Sequence, residues 1–273
     1  MTDGCMSQRE SFRALMAYES VDRLPVLALE PFEQTAIARW HREGLPAGVH
    51  PGDYLGMSRL VQVPLAWGPI PAFAPEIIAE DDEYVVQVAS MGGTVRRRKD
   101  NPSMFYGHLD HPVTSRKDWE QYKRRFQSTS PGRLPADWET SVIPRLNAST
   151  DPVGICFFPF FCRLGFYSMG MARFLTAFYD DPELIHDVFS YWSRYVMAMI
   201  EPVLATVKLD YVMFGEDLAG KNGSLISPAI YQAFWYPYQD PIIDMLRAHD
   251  VPVICQWSAG QFDSLLPGML ARG

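Results

Sequence analysis

Two kinds of hydrophobic spacing alternate along this chain. Short runs in which nearly every position is apolar, PVGICFFPF at 152–160, YVMFG at 211–215 and VPVICQW at 251–257, are separated by longer stretches whose apolar residues return every three or four positions. Dense runs of this length read as strands buried on both faces, and the 3.6-residue spacing reads as helix. Two further strands are predicted, over 26–29 and within 59–66. The helix starts are marked chemically. Ser7 with Glu10 forms a capping box, and Phe12, Leu15 and Met16 give the helix behind it one apolar face. Asp181-Pro182 and Ser227-Pro228 each place a capping side chain before a proline at the first helical position. They predict helices over 182–207 and 228–249. Other helices are expected over 32–43, stopped by Gly44, and over 115–126, 136–147, 171–179 and 263–271. Residues 84–89 and 93–99 flank Ser90-Met91-Gly92 and read as a β-hairpin.

Strands separated by helices of more than ten residues imply a parallel sheet built from βα units. No Gly-x-Gly-x-x-Gly follows the first strand, and no Gly-Lys-Ser/Thr phosphate loop occurs anywhere. Among large parallel architectures this leaves the (β/α)8 barrel, in which chemistry gathers at the C-terminal ends of the strands. Five strands can be placed, near Val26, Val61, Val153, Tyr211 and Val253, whereas eight close such a barrel. The expectation is a single domain over 1–273 that forms an incomplete barrel at its C-terminus, with an open edge on the fifth strand.

Composition narrows the function classes. With 48% hydrophobic and 21% charged residues over 273 positions, the chain has the make-up of a globular protein. Its formal charge of −8 argues against nucleic acid as a partner. The N-terminus lacks the apolar core of a signal peptide, and no run approaches ~18 apolar residues, so a cytoplasmic protein without a membrane partner is expected. Cys5, Cys156, Cys162 and Cys255 form no Cys-x-x-Cys pair, and Cys156 and Cys255 sit in apolar runs, where cysteine reads as a small buried hydrophobe. The six histidines are scattered without a His-Glu-x-x-His, so no metal site is expected from them.

Candidate chemistry concentrates at strand ends. Glu216 and Asp217 end the run at 211–215 and precede Gly220-Lys221-Asn222-Gly223. At the mouth of a barrel such a pair can transfer protons or orient a cationic or hydroxyl-bearing substrate, with Lys221 and Asn222 beyond it. Alternatively, one carboxylate caps a neighbouring loop and the other pairs with an arginine. Glu30 ends the first strand in the same way. Phe157-Phe158-Pro159-Phe160-Phe161, followed by Arg163, reads either as core packing or as an aromatic wall around a flat ligand with Arg163 at its rim. Arg96, Arg97 and Arg98 end the hairpin; one face could reach a substrate carboxylate, although solvent is the favoured surrounding.

Four segments resemble the uroporphyrinogen decarboxylase superfamily, in particular its bacterial branch related to corrinoid-dependent methyltransferases. They are RESFRALMAYESVDRLP at 9–25, EDDEY at 80–84, GEDLAGKNGSLISP at 215–228 and VPVICQWSAGQFDSLLPGMLARG at 251–273. The third is the most specific. The resemblance implies an α/β fold of the TIM-type (β/α)8 barrel kind, with Glu216 and Asp217 as catalytic acids. The candidate substrate-binding positions are Glu30, Arg163, Lys221, Asn222 and Trp257. The resemblance also exposes departures. Uroporphyrinogen decarboxylases carry Arg-Gln-Ala-Gly-Arg after the first strand, where this chain reads Glu30-Pro31-Phe32-Glu33-Gln34. They place an aspartate where this chain has Ala66-Trp67-Gly68-Pro69. Zinc-dependent members use a His-x-Cys pair where this chain has Trp257-Ser258-Ala259, with only Gly260 retained.

Three functions follow as expectations. The first is methyl transfer on a small organic substrate with a corrinoid protein as partner, no cofactor being bound by the chain itself. The second is decarboxylation of a uroporphyrinogen-like polycarboxylate, with Arg163 and Arg96 to Arg98 replacing the missing arginines. The third is a truncated, non-catalytic binding protein. A homodimer is compatible with each.

Overall fold

The computed structural model describes residues 6–28, 32–100 and 107–272. In chain order the strands are β1 (Val61–Gln62), β2 (Ile77–Glu80), β3 (Tyr84–Val88), β4 (Thr94–Arg98), β5 (Gly107–His108), β6 (Val153–Phe157), β7 (Tyr211–Glu216), β8 (Ala219–Gly220), β9 (Gly223–Ser224) and β10 (Val253–Ser258). The helices are α1 (Gln8–Met16), α2 (Gln34–Glu43), α3 (Pro51–Tyr54), α4 (Arg116–Tyr122), α5 (Ile143–Asn147), α6 (Phe161–Met169), α7 (Met171–Asp180), α8 (Pro182–Leu204), α9 (Pro228–Phe234), α10 (Tyr236–Ala248) and α11 (Leu266–Leu270).

The apolar runs form a parallel sheet in the order β1-β6-β7-β10, and a single parallel bridge from Leu27 to Ser58 continues it on the β1 side. Adjacent strands are thus neighbours in sequence order, as expected for successive βα units. Among the described residues β10 is paired on one side only, and the four strands do not close on one another. The 59–66 run contributes only Val61–Gln62 to the sheet; beyond Val63, which still donates to Gly154, the Leu65 N–H turns back onto the Val63 carbonyl and leaves the ladder.

The caps act as the sequence implies. The Ser7 and Glu10 side chains satisfy each other's backbone N–H groups, and Asp181 and Ser227 accept from Leu184 and Ile230 at the starts of α8 and α9. Several elements differ from expectation: among the described residues the strand over 26–29 is reduced to the bridge at Leu27, and the helices over 115–126 and 263–271 shorten to Arg116–Tyr122 and Leu266–Leu270. The aromatic run at 157–161 turns from strand into the unanticipated helix α6, and the helix over 228–249 divides at Trp235 into α9 and α10. The hairpin at 84–98 is the centre of a separate four-stranded antiparallel sheet, β2-β3-β4-β5.

One face of the parallel sheet, through Val153, Ile155, Phe157, Val212 and Phe214, packs into a continuous core with α6 to α10. The alternate positions point to the other, inner face. That alternation corrects the expectation for two cysteines: Cys156 is half-buried and Cys255 exposed, both outside the helical core. No described helix is long and apolar enough to cross a membrane.

Candidate functional site

Asp217, Arg163, Trp257 and Phe158 converge beyond the C-terminal ends of β6, β7 and β10. The chain leaves β6 at Phe157 and enters α6 at Phe161, which carries Arg163 back over the sheet. The guanidinium of Arg163 meets the Asp217 carboxylate, Nε to Oδ2 at 2.8 Å and Nη2 to Oδ1 at 3.2 Å. The same guanidinium stands 4.9 Å from the Phe158 ring centre and 5.0 Å from that of Trp257. The two rings are 5.8 Å apart. A cation facing two aromatic rings is attracted by both, more strongly where water is excluded. Here the Arg163 side chain is 20% exposed and that of Asp217 33%, so the pair is sheltered yet open to a ligand.

Gly215 makes this arrangement fit. It is in register with Trp257, and a Cβ at Gly215 would lie 2.2 Å from the Phe158 ring. The missing side chain is the space that Phe158 occupies on its way to Trp257. A glycine inside an otherwise bulky strand is the signal of such a close approach.

Glu216 faces the opposite way. It is the last residue of β7 and points into the helical layer, fully buried. Its carboxylate accepts the backbone N–H of Cys162 at 2.7 Å and the indole N–H of Trp235 at 2.8 Å. No side chain of α6 caps its own N-terminus, so Glu216 supplies the acceptor that the exposed N–H groups need. Burial pushes the Glu216 carboxyl up to about 8, against the lowering effect of these hydrogen bonds. The two consecutive carboxylates therefore divide their roles, one capping a helix and the other pairing with an arginine.

Lys221 and Asn222 form the exposed tip of the β8–β9 hairpin, which starts two residues after Asp217. That hairpin is held down by the Gln261 N–H on the Gly220 carbonyl at 3.0 Å. Ser258, in register with Glu216, accepts the Leu218 N–H at 2.9 Å. Glu30 lies outside the described residues. The structure thus brings Arg163, Asp217 and Trp257 together and directs Glu216 away from them.

The donors at the end of β10 do not suit zinc. Trp257 stacks on Arg163, Ser258 is used by Leu218, and Ala259 has no donor side chain. Among the described residues, no three His, Cys, Asp or Glu side chains come together as a metal-binding group. The hairpin arginines are engaged in the antiparallel sheet: Arg96 covers the Tyr84 ring at 4.4 Å and Arg98 pairs with Asp100 at 2.6 Å.

A second charged cluster lies at the other end of the sheet and was not anticipated. Asp210, fully buried just before β7, pairs with Arg9 at 2.8 Å and with Arg13, and accepts the Val153 N–H at 2.7 Å. A cavity of about 760 Å³ adjoins Arg9, Arg13 and Lys208. It opens at the N-terminal end of β7, away from the strand ends that carry Asp217. The only sequence signal for this cluster was an aspartate entering an apolar strand, Asp210-Tyr211.

Fold and site define a class: an α/β protein with a TIM-like parallel sheet and its charged, aromatic-walled site at the strand C-termini. The chain belongs to the uroporphyrinogen decarboxylase (URO-D) family, which it matches over residues 68–271. Among solved structures it is similar to a methyltransferase from Methanosarcina mazei, with a TM-score of 0.54 and 14% identity over 98% of this chain and 74% of that one. At this identity the likeness concerns the fold. No curated protein matches the chain in sequence.

Proposed function

We propose that the chain is an enzyme that transfers a methyl group between a small organic substrate and a corrinoid carried by a partner protein, at the C-terminal strand ends of its TIM-like parallel sheet. The observation that carries this reading is the Arg163 guanidinium, paired with Asp217 and flanked by Phe158 and Trp257. Such a site suits a flat or compact substrate with one polar group. The rings exclude water, Arg163 holds an anionic or carbonyl oxygen, and Asp217 accepts a hydrogen bond or proton from the substrate. Lys221 and Asn222, at the exposed hairpin tip, would cover a bound substrate in this reading. Glu216 acts through its neighbours, fixing the start of α6 and hence Arg163. The corrinoid would supply the methyl acceptor or donor. The solved methyltransferase of the same fold supports this direction.

Decarboxylation of a polycarboxylate asks for several cationic groups at the site. Arg163 is there, but Arg96 and Arg98 are occupied in the other sheet. The deciding experiment incubates the chain with methylated amines and methoxylated aromatics in the presence of reduced cobalamin, and separately with uroporphyrinogen. Methylation of the corrinoid, with no loss of CO2 from uroporphyrinogen, is the expected result. Stepwise CO2 loss without corrinoid methylation would replace this reading by the decarboxylase one.

A further inference from the structure

The Arg163 guanidinium has an edge that no described residue takes up. Its Nε and Nη2 side faces the Asp217 carboxylate, at 2.8 and 3.2 Å. Its Nη1 has no hydrogen-bond partner among the described residues. A guanidinium carries its N–H donors as a rigid planar fork. Asp217 engages one side of that fork, and the end formed by Nη1 and Nη2 stays open. This end matches a carboxylate, whose two oxygens accept a pair of parallel N–H groups.

The aromatic walls are committed in a way that selects against cations. Phe158 and Trp257 stand 4.9 and 5.0 Å from the central carbon of the guanidinium. Two rings set like this can hold an alkylammonium group. Here the cation against both rings is Arg163 itself, kept there by Asp217. A methylated ammonium ligand would have to displace it or meet its charge at short range in a sheltered site, where like charges repel more strongly than in water.

The charge balance points the same way. Arg163 and Asp217 cancel as a pair. Lys221 follows at the exposed tip of the β8–β9 hairpin, and its ammonium has no ion-pair or hydrogen-bond partner among the described residues. A ligand carboxylate gives that ammonium a counter-charge, whereas a ligand cation adds to it. A carboxylate held by the fork lies in the plane of the guanidinium. A flat ring attached to it therefore extends along the Phe158 and Trp257 walls, where aromatic contact adds to the hold.

We propose that the substrate is a planar aromatic carboxylate, received by the open end of the Arg163 fork between Phe158 and Trp257, and that methylated ammonium compounds are excluded. This inference rests on the reading of the Arg163–Asp217 site given above and narrows it to one substrate class. The two can fail separately. Corrinoid methylation by a methylated amine and not by a methoxylated aromatic acid would remove the substrate class and keep the methyl transfer. Specific binding of the acid without any methylation would do the opposite.

The test is isothermal titration calorimetry of the full chain at neutral pH with three probes: 4-methoxybenzoate, its uncharged amide 4-methoxybenzamide, and tetramethylammonium. The expected result is one 4-methoxybenzoate per chain, the amide weaker by ~tenfold or more, and no binding of tetramethylammonium. Arg163→Gln should weaken the acid by ~tenfold or more and bring it level with the amide, in a variant with an unaltered circular dichroism spectrum. Arg98→Gln, in the other sheet, should leave all three unchanged. If Arg163→Gln does not fold, the comparison of the three probes on the wild type decides. Absence of 4-methoxybenzoate binding, equal affinity for acid and amide, or binding of tetramethylammonium would overturn the proposal. So would full binding of the acid by folded Arg163→Gln.

Discussion

Glu216 and Asp217 are consecutive in the chain and face opposite sides of the sheet: Glu216 receives hydrogen bonds from Cys162 and Trp235 inside the helical layer, and Asp217 pairs with Arg163 at the open strand ends. This follows from strand geometry, in which successive side chains alternate. It makes one carboxylate a support for the other's partner, because Cys162 and Arg163 are themselves consecutive at the start of α6.

The buried member has a pH signature. The Glu216 carboxyl moves from an ordinary value of 4.5 to about 8 on folding. The folded chain therefore holds a proton that the unfolded chain releases, and the stability this contributes is full below about 4.5 and lost as pH rises through about 8. The Tm advantage of the wild type over Glu216→Gln should shrink between pH 5 and pH 9. A difference that stays flat or grows over that range would contradict the assignment.

Gly215→Ala places a methyl group into the Phe158 ring. We expect a loss of ~1–3 kcal/mol in urea unfolding, in line with overpacking. A change in near-ultraviolet circular dichroism should accompany it, as Phe158 moves away from Trp257. Wild-type stability with an unchanged aromatic spectrum would show that the close approach is not real.

Asp210→Ala strands the buried end of Arg9 and the Val153 N–H. Removing one partner from a buried ion pair costs ~3–5 kcal/mol, so the variant should unfold at markedly lower denaturant. Because this cluster sits at the far end of the sheet, turnover per folded molecule should stay within about twofold of the wild type. A stability change below ~1 kcal/mol would place Asp210 among weak surface pairs.

Much of the frame was legible in the residues. Ser7, Asp181 and Ser227 mark helix starts with their own side chains, and the dense apolar runs at 153, 211 and 253 all form strands, the first two buried and the third half-buried at the edge of the described sheet. What was hidden depended on long-range partners. Helix α6 begins inside an aromatic run whose composition favours strand, and its N-terminus is capped by Glu216, some fifty positions later in the chain. The separation of Glu216 from Asp217 becomes legible only when the period-two alternation is carried past the end of the apolar run. Applied there, it separates the two carboxylates. Arg163 and Trp257 were visible as candidates, whereas Phe158 acquires its place only through the space left by Gly215.

The most direct test compares Asp217→Asn with Glu216→Gln in the corrinoid methylation assay, each at matched fractions of folded protein. Asp217→Asn should keep its Tm within a few degrees and lose ~100-fold or more in kcat, as expected when a group acting on substrate is removed. Glu216→Gln should retain kcat within about threefold while its stability acquires the altered pH dependence. The reverse pattern, with Asp217→Asn fully active and Glu216→Gln inactive though folded, would contradict this division of roles.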